Sequence, residues 1–437
     1  MQQLMESMDQ SQGAAGRQGV GAAADDDAPM AGKTVLLVHP AWHSCGSHQV
    51  FASQARAYRS LGARLVSLAV ADSPGAVEGS RAHKSYVAAT ADLEADARLY
   101  TGMPLLSVLN PSFLQAARLW LHGNFAAILL ESARLAPIPA ALQAERRVDL
   151  IHCNHFFCMP VAMRLRERHG CAIALDTHDL QARQYALRNE QGWTVPPVAK
   201  FEDMLAIELV AMRGADVLAH LNDEEAAAFK TLLTEKRHEL VYPAVPPIAP
   251  GAGGEDLIIV ASANYANYRG LAWFLREVLP LAPDEVRRRI KIIGNLDRTV
   301  RARAPALYKA NAQLFLGHVR DVGAAYANAA AVLLPTTEGH GVSIKTIEAM
   351  SSGAPLIATP HAFRGMRLDP ARLGNVTLAA DAPAFAAALL RAAASQPDPA
   401  SRRDAETRKF YQSHFAFEAY RAALAKLALP LLKPVNN

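Results

Sequence analysis

Cysteine is scarce in this 437-residue chain. The four it has, Cys45, Cys153, Cys158 and Cys171, form no Cys-x-x-Cys pair. That excludes a zinc ribbon and a disulfide-stapled scaffold, and it fits a reducing compartment. Long apolar runs are missing as well. The best stretch, Leu119 to Leu130, is interrupted by His122 and Asn124 and stopped by Glu131; a membrane-spanning helix needs roughly 18 residues. No excess of one charge exists: 45 Lys and Arg against 41 Asp and Glu leave a net +4, too even for a nucleic-acid partner by bulk charge. The 26 glycines and 26 prolines are ordinary numbers and exclude collagen-like repeats. No Gly-x-Gly-x-x-Gly follows the first predicted strand, where only Gly46 is available, so hydride chemistry on a dinucleotide is disfavoured. A Walker phosphate loop and a His-Glu-x-x-His core are absent too.

What the chain does have is 51% hydrophobic and 20% charged residues, enough for a sizeable core. Residues 1–32 are polar, Gln/Ala/Gly-rich and carry Asp25-Asp26-Asp27. They read as a disordered tail without the apolar centre of a signal peptide. Order begins at Thr34–Val38, a short β-branched and apolar run of the kind found in buried parallel strands. A helical pattern to about Leu61 and a strand at Leu65–Val70 complete a βαβ unit. The block 80–146 reads as a helical insertion given over to core packing, Trp120 included. Alternation resumes with strands at Asp149–Cys153, Ile173–Leu175 and Val217–Leu221, and Asn222 reads as a helix cap.

Tyr242-Pro243-Ala244-Val245-Pro246-Pro247 followed by the glycines of 251–254 is the best linker in the chain. Beyond it the pattern restarts: strands at Leu257–Val260, Ile290–Ile293, Leu314–Leu316, Ala331–Leu334 and Pro355–Thr359, with helices at Leu271–Leu279, Val322–Ala329 and Ile344–Met350. The expected organisation is α/β: two facing, doubly wound Rossmann-like domains, 33–243 and 255–412. A linker at 244–254 joins them, and a helix within 413–430 packs back on the first domain. In such sheets ligands sit beyond the carboxyl ends of the strands, so the natural site is the cleft between the two.

The segment richest in chemistry is Glu338-Gly339-His340-Gly341-Val342-Ser343-Ile344-Lys345-Thr346-Ile347-Glu348. It follows a strand and opens a helix. Two glycines let backbone approach a ligand closely, and free N–H groups at a helix start favour an anion. Lys345 adds a point charge suited to phosphate. Glu348 shares its helix face three residues on and can accept hydrogen bonds from two sugar hydroxyls. Together these describe a nucleotide site; a capped surface helix with a Lys–Glu pair fits the same spacing.

Glu348-Ala349-Met350-Ser351-Ser352-Gly353-Ala354-Pro355-Leu356-Ile357-Ala358-Thr359-Pro360 resembles the EAM-x-x-G-x-P-V-I-A-T signature of retaining glycosyltransferases of family 4, which have the GT-B fold. Gly339-x-Gly341-Val342-x-Ile344-Lys345, Gly317-His318-Val319-x-Asp321 and the Leu36–Gly62 unit are similar to further elements of that family. The resemblance implies that Glu348 binds the ribose of a nucleotide-diphosphate sugar. It implies that Lys345 and the backbone of Gly341, Val342, Ser343 and Ile344 hold the diphosphate. His178, in Asp176-Thr177-His178-Asp179 at a strand end, would be the active-site histidine. Gly46, Ser47, Asp179 and Arg183 fall on the acceptor side, though a solvated i,i+4 pair fits Asp179 and Arg183 equally. The chain departs from the family at two places. His340 stands where most members carry a second Glu, Glu338 being two residues too early. The usual Arg…Lys diphosphate pair is missing, with Asn264, Asn267 and Arg269 in its region.

The histidines His39, His43, His48, His152, His155 and His178 crowd near strand ends. A metal site is the alternative to a metal-independent transferase. His39 and His43 have helical spacing but lie in a loop, and the one Asp-x-Asp is in the Asp25–Asp27 tail. The resemblance implies no metal and no cofactor beyond the donor, a UDP- or GDP-linked sugar. It implies an acceptor glycan or lipid-linked glycan, a role in cell-envelope polysaccharide synthesis, and no nucleic acid. It places the protein in the cytoplasm, with a peripheral contact at the inner face of the membrane through Arg118, Arg146 and Arg147 weighed against a solvated face. An epimerase, hydrolase or phosphorylase of the same shape, and a non-catalytic nucleotide-binding protein, remain open on sequence.

Overall fold

The computed structural model describes residues 28–43, 46–145, 147–190, 200–396 and 398–432. The first sheet has seven parallel strands: β1 Thr34–Pro40, β2 Arg64–Val70, β3 Ala97–Thr101, β4 Leu150–Asn154, β5 Ala172–Asp176, β6 Val217–His220 and β7 Arg237–Leu240. Their spatial order is β3-β2-β1-β4-β5-β6-β7. The second sheet has six: β8 Asp256–Val260, β9 Ile290–Ile293, β10 Phe315–Gly317, β11 Ala329–Leu334, β12 Leu356–Ala358 and β13 Val376–Leu378. Their order is β10-β9-β8-β11-β12-β13, again parallel throughout.

Both sheets are covered on two faces, which is why β1 runs apolar over Val35–Val38 and β8 over Leu257–Val260. Along β1, Leu36 and Val38 enter one core while Val35 and Leu37 enter the core on the other face. Along β8, Leu257 and Ile259 go one way, Ile258 and Val260 the other. Winding outward in both directions from β1, and again from β8, leaves a crevice at the β1/β4 and β8/β11 boundaries. The loops that follow these four strands therefore carry the site.

The linker is extended, and it is pinned where the chain returns. Tyr411 Oη donates to the Val245 carbonyl (2.6 Å) and Val245 N–H to the Phe415 carbonyl (3.0 Å). The chain turns at Phe415–Ala416, and the helix Phe417–Ala428 then lies on the first domain. Its Tyr420, Leu424 and Leu427 share a core with Val35, Leu37 and Phe51. The Arg56 guanidinium covers the Phe417 ring at 3.7 Å.

Several sequence expectations need correction. Residues 28–32 are tied to the first domain through Met30 rather than part of a tail: Met30 is fully buried beside Leu61 and donates its N–H to the Leu61 carbonyl (2.9 Å). Residues 1–27, including Asp25–Asp27, lie outside the described residues. The block 80–146 is not wholly helical, for it contains β3; an edge strand reading Ala-Arg-Leu-Tyr-Thr, with Arg98 exposed, lacks the apolar run of a central strand. Nor does the block serve only core packing: Phe113 and Ala116 are buried, but Leu105, Leu106, Leu109, Leu114 and Leu121 are exposed. The helix after β8 begins at Tyr265, not Leu271, because Asn264 caps it by accepting the Asn267 N–H (2.8 Å). Of the arginines weighed for membrane contact, Arg147 is paired with the buried Asp149 (2.7 Å), and Arg146 lies outside the described residues.

Candidate active site

The loops after β1, β4, β5, β8 and β11 enclose a cleft of about 770 Å³. An adjoining lobe of about 890 Å³ shares Gly46, Asn264, His340 and Ile344 with it. The structure brings most of the sequence candidates to these walls. Gly46, Ser47, His178, Asp179, His340, Gly341, Val342 and Ile344 line the first lobe. Asn267, Ser343, Lys345 and Glu348 line the second. Arg183 and Arg269 line neither. Arg269 instead pairs with Glu338 (3.5 Å).

On the second-domain side, Ser343 caps the helix Ile344–Ser352 by accepting the Thr346 N–H (3.3 Å). The first turn therefore presents its remaining N–H groups toward the cleft, where they and the helix dipole favour an anion. Gly339 and Gly341 have φ of 119° and 68°, left-handed values that any Cβ would strain. A Cβ on Gly341 would also stand 3.3 Å from Asp179 Oδ1 of the opposite domain. Lys345 Nζ bridges both Glu348 oxygens (2.9 and 2.8 Å). Cation and carboxylate thus sit one turn inside the helix, held to each other.

Arg364, in the loop after β12, is a contributor that sequence reasoning missed. It lines the second lobe, and its Nη2 stands 3.0 Å from where a Gly339 Cβ would be. Its Nε has no hydrogen-bond partner among the described residues. Burial pulls the guanidinium pKa down, with Glu224 opposing. A half-buried cation facing a glycine turn and a helix N-terminus is suited to bind a diphosphate. The only sequence signal for it was its position beyond the carboxyl end of a strand.

On the first-domain side, two features converge. His155 and His178 are the non-glycine residues with positive φ among those described, at 59° and 56°. Their rings stack at 3.8 Å between centroids, 9° from parallel. Such backbone conformations are costly and cluster where function needs them. Three buried carboxyls hold the loop that bears His178. Asp176 Oδ1 accepts the His178 N–H (3.0 Å), Glu225 the Leu180 N–H (3.1 Å), and Glu208 the N–H groups of Gln181 and Ala182 (3.0 Å each). Burial lifts Asp176 and Glu208 to about 7 and moves Glu225 upward as well.

Behind the loop, Asn154 Nδ2 donates to Gln54 Oε1 (2.8 Å), and Gln54 Nε2 donates to Asp176 Oδ2 (3.0 Å). Asn154 Oδ1 is thereby left to accept from His178 Nε2 (2.9 Å). That network assigns the His178 proton to Nε2 and a lone pair to Nδ1. Burial, then His155 and His152, hold the His178 pKa well below 6.5, so the ring is neutral. It can accept a hydrogen bond from a hydroxyl in the cleft.

These ionisations predict a stability optimum. Burial depresses His39 to about 4 and His152 and His155 to about 3. The unfolded chain therefore takes up protons first, and stability is lost as pH falls below 6.5. The raised carboxyls act oppositely: the folded state keeps protons that the unfolded state gives up, so their contribution is lost as pH rises toward 7 and just beyond. Urea midpoints should peak near pH 6.5 and decline on both sides. A midpoint that climbs steadily from pH 6.5 to 8 would contradict the assignment.

Among the described residues no group of three or more His, Cys, Asp or Glu side chains is arranged to hold a metal ion. No helix among them is long and apolar enough to cross a membrane.

Comparison with solved structures defines the class through the fold. Sucrose-phosphate synthase from Thermosynechococcus elongatus superposes with a TM-score of 0.56 at 17% identity, over 91% of this chain and 99% of that one. The Anabaena protein HepE in complex with UDP gives 0.58 at 12%, over 91% and 100%. An alpha,alpha-trehalose-phosphate synthase (UDP-forming) from Burkholderia vietnamiensis gives 0.54 at 14%, over 91% and 99%. The fold is GT-B: two Rossmann-like domains facing across a cleft. Residues 254–395 match the family described as Glycosyl transferases group 1. That segment holds the Ile344–Ser352 helix and Arg364, so the second-domain wall of the cleft lies within the matched residues. No curated protein sequence matches the chain.

Proposed function

We propose that the protein is a glycosyltransferase that moves a sugar from a nucleotide-diphosphate sugar to an acceptor glycan, lipid or small molecule, with retention of anomeric configuration and without a metal. The observation that carries this reading is the helix N-terminus at Ser343–Lys345, with Glu348 and Arg364, placed across one cleft from His178. Negative charge grows on the diphosphate as the sugar leaves. The helix N–H groups, Lys345 and Arg364 would stabilise it in place of a metal ion. Glu348 would take the ribose hydroxyls. His178 Nδ1 would accept from a donor-sugar hydroxyl and so orient the reacting carbon. Closure of the domains would limit hydrolysis by excluding water. UDP is the first nucleotide to test, since HepE is described in complex with UDP and the trehalose-phosphate synthase as UDP-forming.

The test is a thermal-shift screen against UDP- and GDP-sugars, followed by turnover assays on those that bind. Stabilisation by one nucleotide class and sugar transfer to an added acceptor are expected. Release of free sugar without acceptor would mark a hydrolase or epimerase. Binding without turnover would mark a non-catalytic protein. No shift with any nucleotide sugar would end the donor-site reading.

A further inference from the structure

Gly365 lies in the second domain, in the loop after β12, yet both its backbone polar groups are bonded to the first domain. Its N–H donates to Glu224 Oε1 (3.0 Å), and its carbonyl accepts the Asp223 N–H (2.9 Å). Gly365 is buried, so its N–H needs a protein acceptor. Two residues on, Arg367 Nε donates to Asp223 Oδ1 (3.1 Å). The two domains meet closely here. A Cβ on Gly365 would stand 3.0 Å from the Asn222 Cβ.

The first-domain partners open the helix Asp223–Leu232, which Asn222 caps by accepting the Glu225 N–H (2.8 Å). Acids in a first helical turn usually do no more than complement the helix dipole. These three divide between the two domains. Glu225 turns inward and accepts the Leu180 N–H in the loop that bears His178. Asp223 and Glu224 reach across to the loop that bears Arg364. One helix start therefore holds a loop from each wall of the cleft.

We propose that Glu224 is a positioning residue for Arg364: by fixing the Gly365 backbone from the first domain, it sets where the neighbouring guanidinium stands beside the Gly339 turn. The inference rests on the transferase reading above, in which Arg364 takes the donor diphosphate. Gly365 follows Arg364 directly, so bonding both its polar groups restrains the Arg364 Cα. The guanidinium has weaker anchors of its own. Its Nε has no partner among the described residues, and Nη1 reaches the His361 carbonyl at 3.4 Å. Charge alone predicts the opposite effect of losing Glu224. A carboxylate near the phosphates repels them, so its removal should tighten binding. A positioning role predicts that binding weakens.

Two measurements on the full chain separate these. Hydrogen exchange without ligand reads the contact. The Gly365 amide should exchange at least about tenfold faster in Glu224→Ala and stay slow in Glu224→Gln, whose amide oxygen keeps the acceptor. Calorimetry with UDP, GDP and inorganic pyrophosphate reads the consequence. Glu224→Ala should bind about tenfold more weakly whichever of these the wild-type chain binds. Glu224→Gln should bind at least as tightly as the wild type. In an Arg364→Ala background Glu224→Ala should cost nothing further. A residue that only ties the domains together would lower the melting temperature and leave these affinities in place. The proposal is overturned if Glu224→Ala leaves Gly365 exchange unchanged, if affinity holds while exchange rises, or if the full loss persists in the Arg364→Ala background. A wild-type chain that binds none of the three ligands overturns it too. If Glu224→Ala still speeds Gly365 exchange in that case, the donor reading has failed and not the contact.

Discussion

Glu348→Ala should weaken UDP binding roughly ten- to a hundredfold, as expected for losing about 1.5–3 kcal/mol of charge-assisted hydrogen bonding. Lys345→Ala should cost more. Lys345 Nζ holds both oxygens of Glu348. Removing the lysine deletes a diphosphate contact and also leaves Glu348 as an unneutralised carboxylate close to the incoming phosphates. Removing both residues relieves that repulsion, so the double variant should bind more tightly than the sum of the two losses predicts. The competing view is a solvated i,i+3 pair worth only about 0.2–0.5 kcal/mol to the helix. On that view calorimetry would return the same UDP affinity for all three variants, with at most a small change in melting temperature.

The central strands and the second-domain signature were legible for a common physical reason. A strand buried on two faces carries a continuous apolar run, as β1 does over Val35–Val38 and β8 over Leu257–Val260. A glycine turn feeding a capped helix leaves Gly339, Gly341 and Ser343 at fixed spacing. Both constraints are local, so sequence alone carries them. The edge strands were not legible because they obey neither constraint. β7 reads Arg-His-Glu-Leu, half-buried throughout, and β3 exposes its arginine. Pairing with a neighbour defines such strands, and a neighbour cannot be read from four or five residues.

Distance along the chain hid much of the rest of the site. Arg364, 25 positions further along the chain, stands beside Gly339. Glu208 and Glu225 serve the backbone of residues 180–182 from other elements. In sequence both carboxylates look like ordinary helix residues, and Glu225 reads as part of a capped helix start. Only burial reveals that they hold the loop bearing His178. The exposed leucines misled in the opposite direction. Apolar periodicity implies a buried face, but it cannot say what buries it.

His178→Gly should slow sugar transfer at least about tenfold, roughly 1.4 kcal/mol of transition-state stabilisation, while leaving UDP affinity unchanged. Glycine is the informative replacement because His178 has φ of 56°. Alanine would keep the backbone strain and lose the ring, whereas glycine removes the ring and adopts that φ freely. The ring lies 3% exposed, stacked on His155 and bonded to Asn154, so some loss of packing is expected with either variant. Stability and turnover must therefore be measured on one preparation. The nucleotide is assigned to the opposite wall, so a contact from His178 to the donor sugar that tightens in the transition state should appear in kcat rather than in nucleotide affinity. If His178 only shapes the loop, His178→Gly would melt at a lower temperature and the folded fraction would turn over at the full rate. That outcome would remove His178 from the reaction and leave its strained backbone without a catalytic purpose.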